Sequence, residues 1–301
     1  MYKVEKVWYN SKKVCSLTAF ARNLCLKLPD FEYSGKDMYN KDFDKKKKFD
    51  KTPEETEENS SLVFGRNSVL ELLKTGRTID KLFVRRGERE GSITMIVAEC
   101  VSRKIPVVEV EKAKLDSLTG GMNHQGVVAM AAMKEYATVD DILNIAAERG
   151  EKPFIVIADE IEDPHNLGAI IRCAEGAGAH GLIIPKRRSA GLTSVVCKSS
   201  AGAFEHLAIA KVANIASTID ELKEKNIWIY GAEAGGASLY DTKFDSATAI
   251  VVGSEGFGIS RLVREKCDFM ISIPMYGKVN SFNVSCAAAV ILCEAARQLK
   301  N

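Results

Sequence analysis

Residues 154–159 read Phe-Ile-Val-Ile-Ala-Asp, five apolar positions in a row ending on a carboxylate. A strand with one wet face alternates in polarity. A strand that does not alternate must be covered on both faces, as in a parallel sheet sandwiched between helices. Further short apolar runs at Leu182–Ile184, Leu207–Ala210, Ile227–Ala232, Ala249–Val252 and Phe269–Ile273 read as its companion strands. Helical patterns at Asn166–Gly178, Ser194–Ala203, Ile215–Lys225 and Ser281–Leu299 come between and after them. That order predicts an α/β domain over residues 150–301 with helices on both faces.

A second, smaller α/β unit precedes it over residues 61–135. Ser68-Val-Leu-Glu71 has the pattern of a capping box at the start of a helix. Strands are expected at Ile79–Val84, Pro106–Val110 and Gly126–Ala131, and helices at Ser92–Arg103 and Ala113–Leu118. Thr138–Arg149 reads as a connecting helix. Residues 1–60 differ from both units and read as an extension with a charged linker, partly disordered. Lys41–Glu58 carries 13 charged side chains in 18 positions and no apolar face, so it cannot bury enough surface to offset chain entropy.

Forty-two Lys and Arg balance 40 Asp and Glu, so any polyanion is held by local patches and not by a global field. Cys15, Cys25, Cys100, Cys173, Cys197, Cys267, Cys286 and Cys293 form no C-x-x-C pair, and His124, His165, His180 and His206 show no metal spacing. The expectation is reduced thiols in a cytoplasmic protein without a metal centre. Val279–Cys293 is too short and too polar to span a bilayer, and the chain opens without the order of a signal peptide.

In sheets of this kind ligands bind beyond the carboxyl ends of the strands. Three strand-end loops have unusual composition. Asp159-Glu-Ile-Glu-Asp-Pro-His-Asn166-Leu-Gly168 leads into Arg172; Asn166 can cap the following helix, and Gly168 leaves room for close approach. Val251-Val-Gly253-Ser-Glu255-Gly256-Phe-Gly258 makes a glycine-rich turn with exposed N–H groups. It fits neither a phosphate loop nor a dinucleotide fingerprint. Ile273-Pro-Met-Tyr-Gly277-Lys-Val-Asn-Ser281-Phe-Asn283-Val-Ser285 enters the last helix through short polar side chains, which places Ser281 and Asn283 near a helix N-terminus.

Asn166-x-Gly168-x-x-x-Arg172, Gly253-x-Glu255-Gly256-x-Gly258, and Ile273-Pro-Met with Ser281-x-Asn283-x-Ser285 follow one another in order. They resemble the three signature motifs of the SpoU (TrmH-type) RNA ribose 2′-O-methyltransferases of the SPOUT superfamily. Residues 62–131, ending in His124-Gln-Gly-Val-Val, are similar to the small L30e-like substrate-binding domain of the branch that methylates a guanosine in 23S rRNA. Phe282 departs from the family, where Leu is common at this position.

The resemblance implies a deep trefoil knot in the C-terminal domain and a homodimer, neither of which periodicity would suggest. It implies S-adenosyl-L-methionine as methyl donor, held around Gly253, Gly256, Ile273 and Phe282. It assigns Arg172 to the ribose 2′ oxygen, with Asn166, Glu255, Ser281 and Asn283 around it. Arg85, Arg86 and Arg89 in the small domain, and Lys186, Arg187 and Arg188 after a strand of the large one, are candidate phosphate contacts. A tRNA substrate, an rRNA adenosine and a non-catalytic RNA-binding role are the alternatives.

Overall fold

The computed structural model describes residues 62–87 and 90–300. Arg89, Cys15, Cys25 and the expected N-terminal extension lie outside the described residues. The smaller unit runs β1 (Leu62–Phe64), α1 (Arg66–Lys74), β2 (Ile79–Arg85), α2 (Ser92–Ser102), β3 (Val107–Val110), α3 (Lys112–Leu118) and β4 (Val127–Ala131). Its sheet has the order β1-β4-β2-β3, with β4 antiparallel to β1 and β2, and β2 parallel to β3.

A connecting helix α4 (Val139–Glu148) opens on a true capping box, with Thr138 and Asp141 bonding reciprocally. The larger unit continues β5 (Phe154–Ala158), α5 (Pro164–Gly176), β6 (Gly181–Pro185), α6 (Ser194–Ser199), β7 (Ala208–Val212), α7 (Ile215–Glu224), β8 (Trp228–Ser238), β9 (Thr248–Val252), α8 (Arg261–Lys266), β10 (Phe269–Ser272) and α9 (Val284–Leu299). Its six strands are all parallel, in the order β10-β8-β9-β5-β6-β7. On β5, Phe154, Val156 and Ala158 belong to the core shared with α5 and α9, while Ile155 and Ile157 belong to the core shared with α4 and α7. Burial on both faces is the physical reason the strand is apolar throughout.

Several local expectations are corrected. Ser68 does not cap α1: the helix starts from Gly65, whose carbonyl accepts Val69 N at 3.0 Å. The Ser68 hydroxyl lies buried and donates to Cys197 O at 3.4 Å. Asn166 does not cap α5. Asp163 does, accepting from His165 N and Asn166 N, with Pro164 at the first helical position. Helix α9 starts at Val284 and not at Ser281, because Asn283 is its cap. Helix α6 ends at Ser199, since Ala201 and Gly202 take left-handed φ values of 53° and 99°. Strand β1 and helix α8 were not anticipated.

The strand order determines where the loops meet. From β5 the chain runs outward through β6 and β7, then returns to build β8, β9 and β10 on the other side of β5. The loops after β5, β9 and β10 therefore leave one end of one half of the sheet, at the switch in direction that commonly forms a ligand crevice.

Candidate functional site

A cleft of about 880 Å³ opens among the loops after β9 and β10, the first turns of α9 and a bulge in β8. The bulge arises because Met270 pairs with Gly231 but the next residue, Ile271, pairs with Ala237, so residues 232–236 have no partner on β10, and 232–235 form a wall of the cleft. Gly236 permits this: a Cβ there would stand 2.6 Å from the Met270 backbone.

The loop after β9 closes on itself through paired bonds between Ser254 and Gly258, each 3.0 Å. A Cβ on Gly253 would lie 2.2 Å from the Gly258 carbonyl carbon, so only glycine fits. Asp159, buried at the end of β5, ties this loop down by accepting Ser260 N at 2.7 Å. Ile271, Ile273, Phe282, Ala287 and Ile291 give the cleft apolar walls, and Glu255, Ser281 and Asn283 line it with polar groups.

The side chains of Asn166, Glu255 and Asn283, far apart in sequence, come together. Asn283 Oδ1 accepts Ser285 N at 3.0 Å and Cys286 N at 3.4 Å as the cap of α9. Its Nδ2 donates to Asn166 Oδ1 at 3.0 Å and to Glu255 Oε1. One residue from each of the three motif loops thus joins a single hydrogen-bonded group. Ser281 and Gly256 are exposed at the cleft without joining it. Gly168 lies under α6 instead: a Cβ there would stand 1.9 Å from Ser199 Oγ.

Arg172 is not part of this group. Six residues on from Asn166 along α5, it lies about 120° around the helix and about 9 Å along it. It is exposed and makes no hydrogen bond or ion pair among the described residues. Arg172 is thus a solvent-exposed side chain of α5, on a different face of the helix from Asn166.

Of the candidate phosphate contacts, Arg85, Arg86, Lys186, Arg187 and Arg188 are exposed. Arg85 and Arg86 line a second cavity in the smaller unit. Arg86 pairs with Glu111 at 2.9 Å and Arg188 with Glu160 at 3.0 Å. Lys186 and Arg187 follow the end of β6 with no such partner among the described residues. The β8 bulge with Glu233, which pairs with Arg264 at 2.7 Å, was missed in the sequence; its only signal was the Gly235-Gly236 pair within a strand pattern. No helix among the described residues is long and apolar enough to cross a membrane, and no group of three or more His, Cys, Asp or Glu side chains there could hold a metal ion.

Residues 153–293 match the SpoU rRNA Methylase family, and residues 62–137 match the RNA 2′-O ribose methyltransferase substrate-binding domain. A Bacillus subtilis protein whose name places it in the TrmH family of tRNA/rRNA methyltransferases is 45% identical over 237 residues, covering 78% of this chain and 95% of its own. A Staphylococcus haemolyticus protein named to the same family is 46% identical over 238 residues, covering 79% and 95%. Among solved structures, the SpoU methyltransferase AviRb from Streptomyces viridochromogenes, in complex with AdoMet, superposes with a TM-score of 0.65 at 27% identity, over 79% of this chain and 89% of that one. An RNA 2′-O ribose methyltransferase gives 0.66 at 25% identity, over 80% and 90%.

Proposed function

The chain belongs to the SpoU family of RNA methyltransferases, and on that premise we propose that it methylates a ribose 2′ oxygen of RNA, a guanosine of 23S rRNA being the favoured target. The observation that carries this reading is the bonded group of Asn166, Glu255 and Asn283 at the mouth of the cleft. Similarity of residues 62–137 to a ribose methyltransferase substrate-binding domain supports an RNA substrate and a separate small domain for it; an L30e-like fold for that domain and a knot in the catalytic one belong to the same proposal.

The cleft fits S-adenosyl-L-methionine. Its apolar walls suit an adenosine, and its polar end, carrying Glu255, Ser281 and Asn283, suits an amino-acid group. Gly256 leaves open space where a Cβ would stand. Ile273 and Phe282 would flank the nucleoside, and backbone groups around Gly253 and Gly256 would meet its polar edges. When bound, this cofactor supplies an electrophilic methyl group.

The chain's own task is to present the ribose oxygen and to stabilise negative charge on it. Arg172 is assigned that role: its guanidinium stays charged, so it orients the oxygen as a fixed cation and not as a free base. Arg172 is exposed and has no partner among the described residues, and the reading has a second copy of the chain complete its surroundings. A homodimer is therefore part of the reading. An RNA substrate agrees with a cytoplasmic location.

The test is transfer of labelled methyl from S-adenosyl-L-methionine to total bacterial RNA by the full chain, followed by alkaline hydrolysis. The expected product is a dinucleotide resistant to hydrolysis and derived from 23S rRNA. Label found on a base, or on tRNA alone, would overturn the ribose or the rRNA assignment respectively.

A further inference from the structure

The smaller unit holds a cavity of about 830 Å³, built from residues other than those of the cofactor cleft. Arg66, Arg85, Arg86 and Lys112 line it, against Glu90 and Asp116. Asp116 is engaged, accepting from His124 Nε2 at 3.1 Å, and Arg86 is drawn toward Glu111. Arg66, Arg85 and Lys112 still leave the wall electropositive.

At the rim lies a tight turn. Val127 N donates to His124 O at 3.1 Å, and the two central residues, Gln125 and Gly126, have φ values of 53° and 84°. Glycine takes this conformation freely, but glutamine does not. The turn is held from below, because buried His124 accepts Gly126 N on Nδ1 at 2.9 Å. Gln125 Oε1 accepts two bonds, from Arg66 N at 2.9 Å and from Lys198 Nζ of α6 at 3.1 Å. Those bonds fix the amide plane. The Nε2 donors have no partner among the described residues. Capping α1 explains the oxygen but not the choice of residue. A glutamate would accept the same two bonds and attract Lys198 more strongly. Glutamine gives that up and retains an oriented NH₂ among cations.

We propose that this cavity is a second nucleotide site. It takes one unstacked nucleotide of the RNA strand, distinct from the methylated one. Arg66, Arg85 and Lys112 hold its phosphate, and Gln125 Nε2 donates to an acceptor on the base edge. Lys198 contributes from the catalytic unit, so the site is shared between both units. An unpaired base is required because only a splayed base offers its edge to side chains in a pocket of this kind. The proposal rests on the RNA methyltransferase reading and adds a specificity determinant to it.

The experiment is fluorescence anisotropy of the full chain with labelled twelve-nucleotide oligo(A), oligo(C) and oligo(U), and with a mixed-sequence duplex. Single strands should bind more tightly than duplex, and the three should differ from one another. In Gln125→Met the preferred strand should lose about five- to tenfold in affinity, bringing the three together. Lys112→Met should weaken all three and flatten the salt dependence by about 0.7 in slope. Gln125→Glu keeps the acceptor for Arg66 N and Lys198. It should melt no lower than the wild type while losing base discrimination, which separates recognition from folding. Duplex binding as tight as single strands, or base ratios unchanged in both Gln125 variants, would overturn the proposal. Methyl transfer to total RNA is measured on the same proteins. Wild-type transfer with unchanged ratios in the variants removes this site alone; discrimination without any transfer removes the enzymatic reading alone.

Discussion

Asn283 caps α9 with Oδ1 and, through Nδ2, ties Asn166 and Glu255 together. These tasks separate under substitution. Asn283→Ala removes both, and should cost about 1 kcal/mol in stability as a lost cap. Asn283→Asp keeps the acceptor that Ser285 N and Cys286 N require, and a carboxylate is favourable at a helix N-terminus. It loses the donor and sets a second negative charge beside Glu255. The expectation is wild-type thermal stability with a loss of methyl transfer comparable to that of the alanine variant. Equal activity in Asn283→Asp and wild type would reduce this residue to a cap. Arg172 makes the opposite case, a side chain without local duties. Arg172→Ala should leave folding and calorimetric binding of S-adenosyl-L-methionine unchanged while slowing methyl transfer by about 10²–10³. Arg172→Lys should recover little, because a point charge does not reproduce the planar fork.

At the scale of elements, the loop after β9 owes its shape to two glycines that serve for different reasons. Gly253 is sterically closed, with the Gly258 backbone 2.2 Å from where a Cβ would stand. Gly256 is open, but its φ is 92°. Gly253→Ala should displace the loop and abolish cofactor binding. Gly256→Ala should cost about 1–3 kcal/mol of stability yet leave measurable binding heat. The sequence made this loop legible as a turn, but not the reason for each glycine. The doubly buried strands β5 and β9 and the periodic helices α5, α7 and α9 were equally legible, because burial on one or both faces writes itself into residue order. Strand β1 has three residues, and α8 is a six-residue helix with four charged side chains, so neither carries a period. The start of α9 was misread because Asn280, Ser281 and Asn283 can each cap a helix; the path of the chain from β10 decides among them. The meeting of Asn166, Glu255 and Asn283 depends on β9 returning beside β5, which is a property of strand order and not of any local pattern. Arg172 was named through a family motif; its six-residue offset from Asn166 already places it about 120° around a helix, but does not show that its side chain would be left without a partner among the described residues.

For the molecule as a whole, the two units share a continuous core, since Val69 and Leu72 of α1 belong to one buried cluster with Val196, Phe204 and Leu207. Polar contacts cross the same junction. Arg77 donates to both oxygens of buried Glu205 at 2.8 and 2.9 Å, and His206 meets Glu71 at 2.8 Å. Lys134, in the connection between the units, donates to the carbonyls of Phe204, Glu205 and Leu207. Arg77→Ala would strand the Glu205 carboxylate, at a cost of about 3–5 kcal/mol. A calorimetric scan should then resolve two transitions where the wild type shows one. Lys134 also ties the junction to pH. Burial pulls its pKa down to about 8 from 10.5, so between those values the unfolded chain holds a proton that the native state has released. Stability from this group therefore rises with pH across that window. Cys100, Cys197 and Cys267 act in the opposite sense, because burial raises their thiols to about 11, 12 and 12. Their contribution is complete below the unfolded thiol pKa and is lost as pH climbs toward the folded values. The measurable quantity is thus a difference between proteins. In urea titrations from pH 7 to 10, Lys134→Met lacks the rising term, so its stability should fall more steeply with pH than that of the wild type. The divergence should reach at most about 3 kcal/mol. Parallel curves would mean that the Lys134 ammonium stays charged at the junction throughout, held by its three carbonyls and by Glu205.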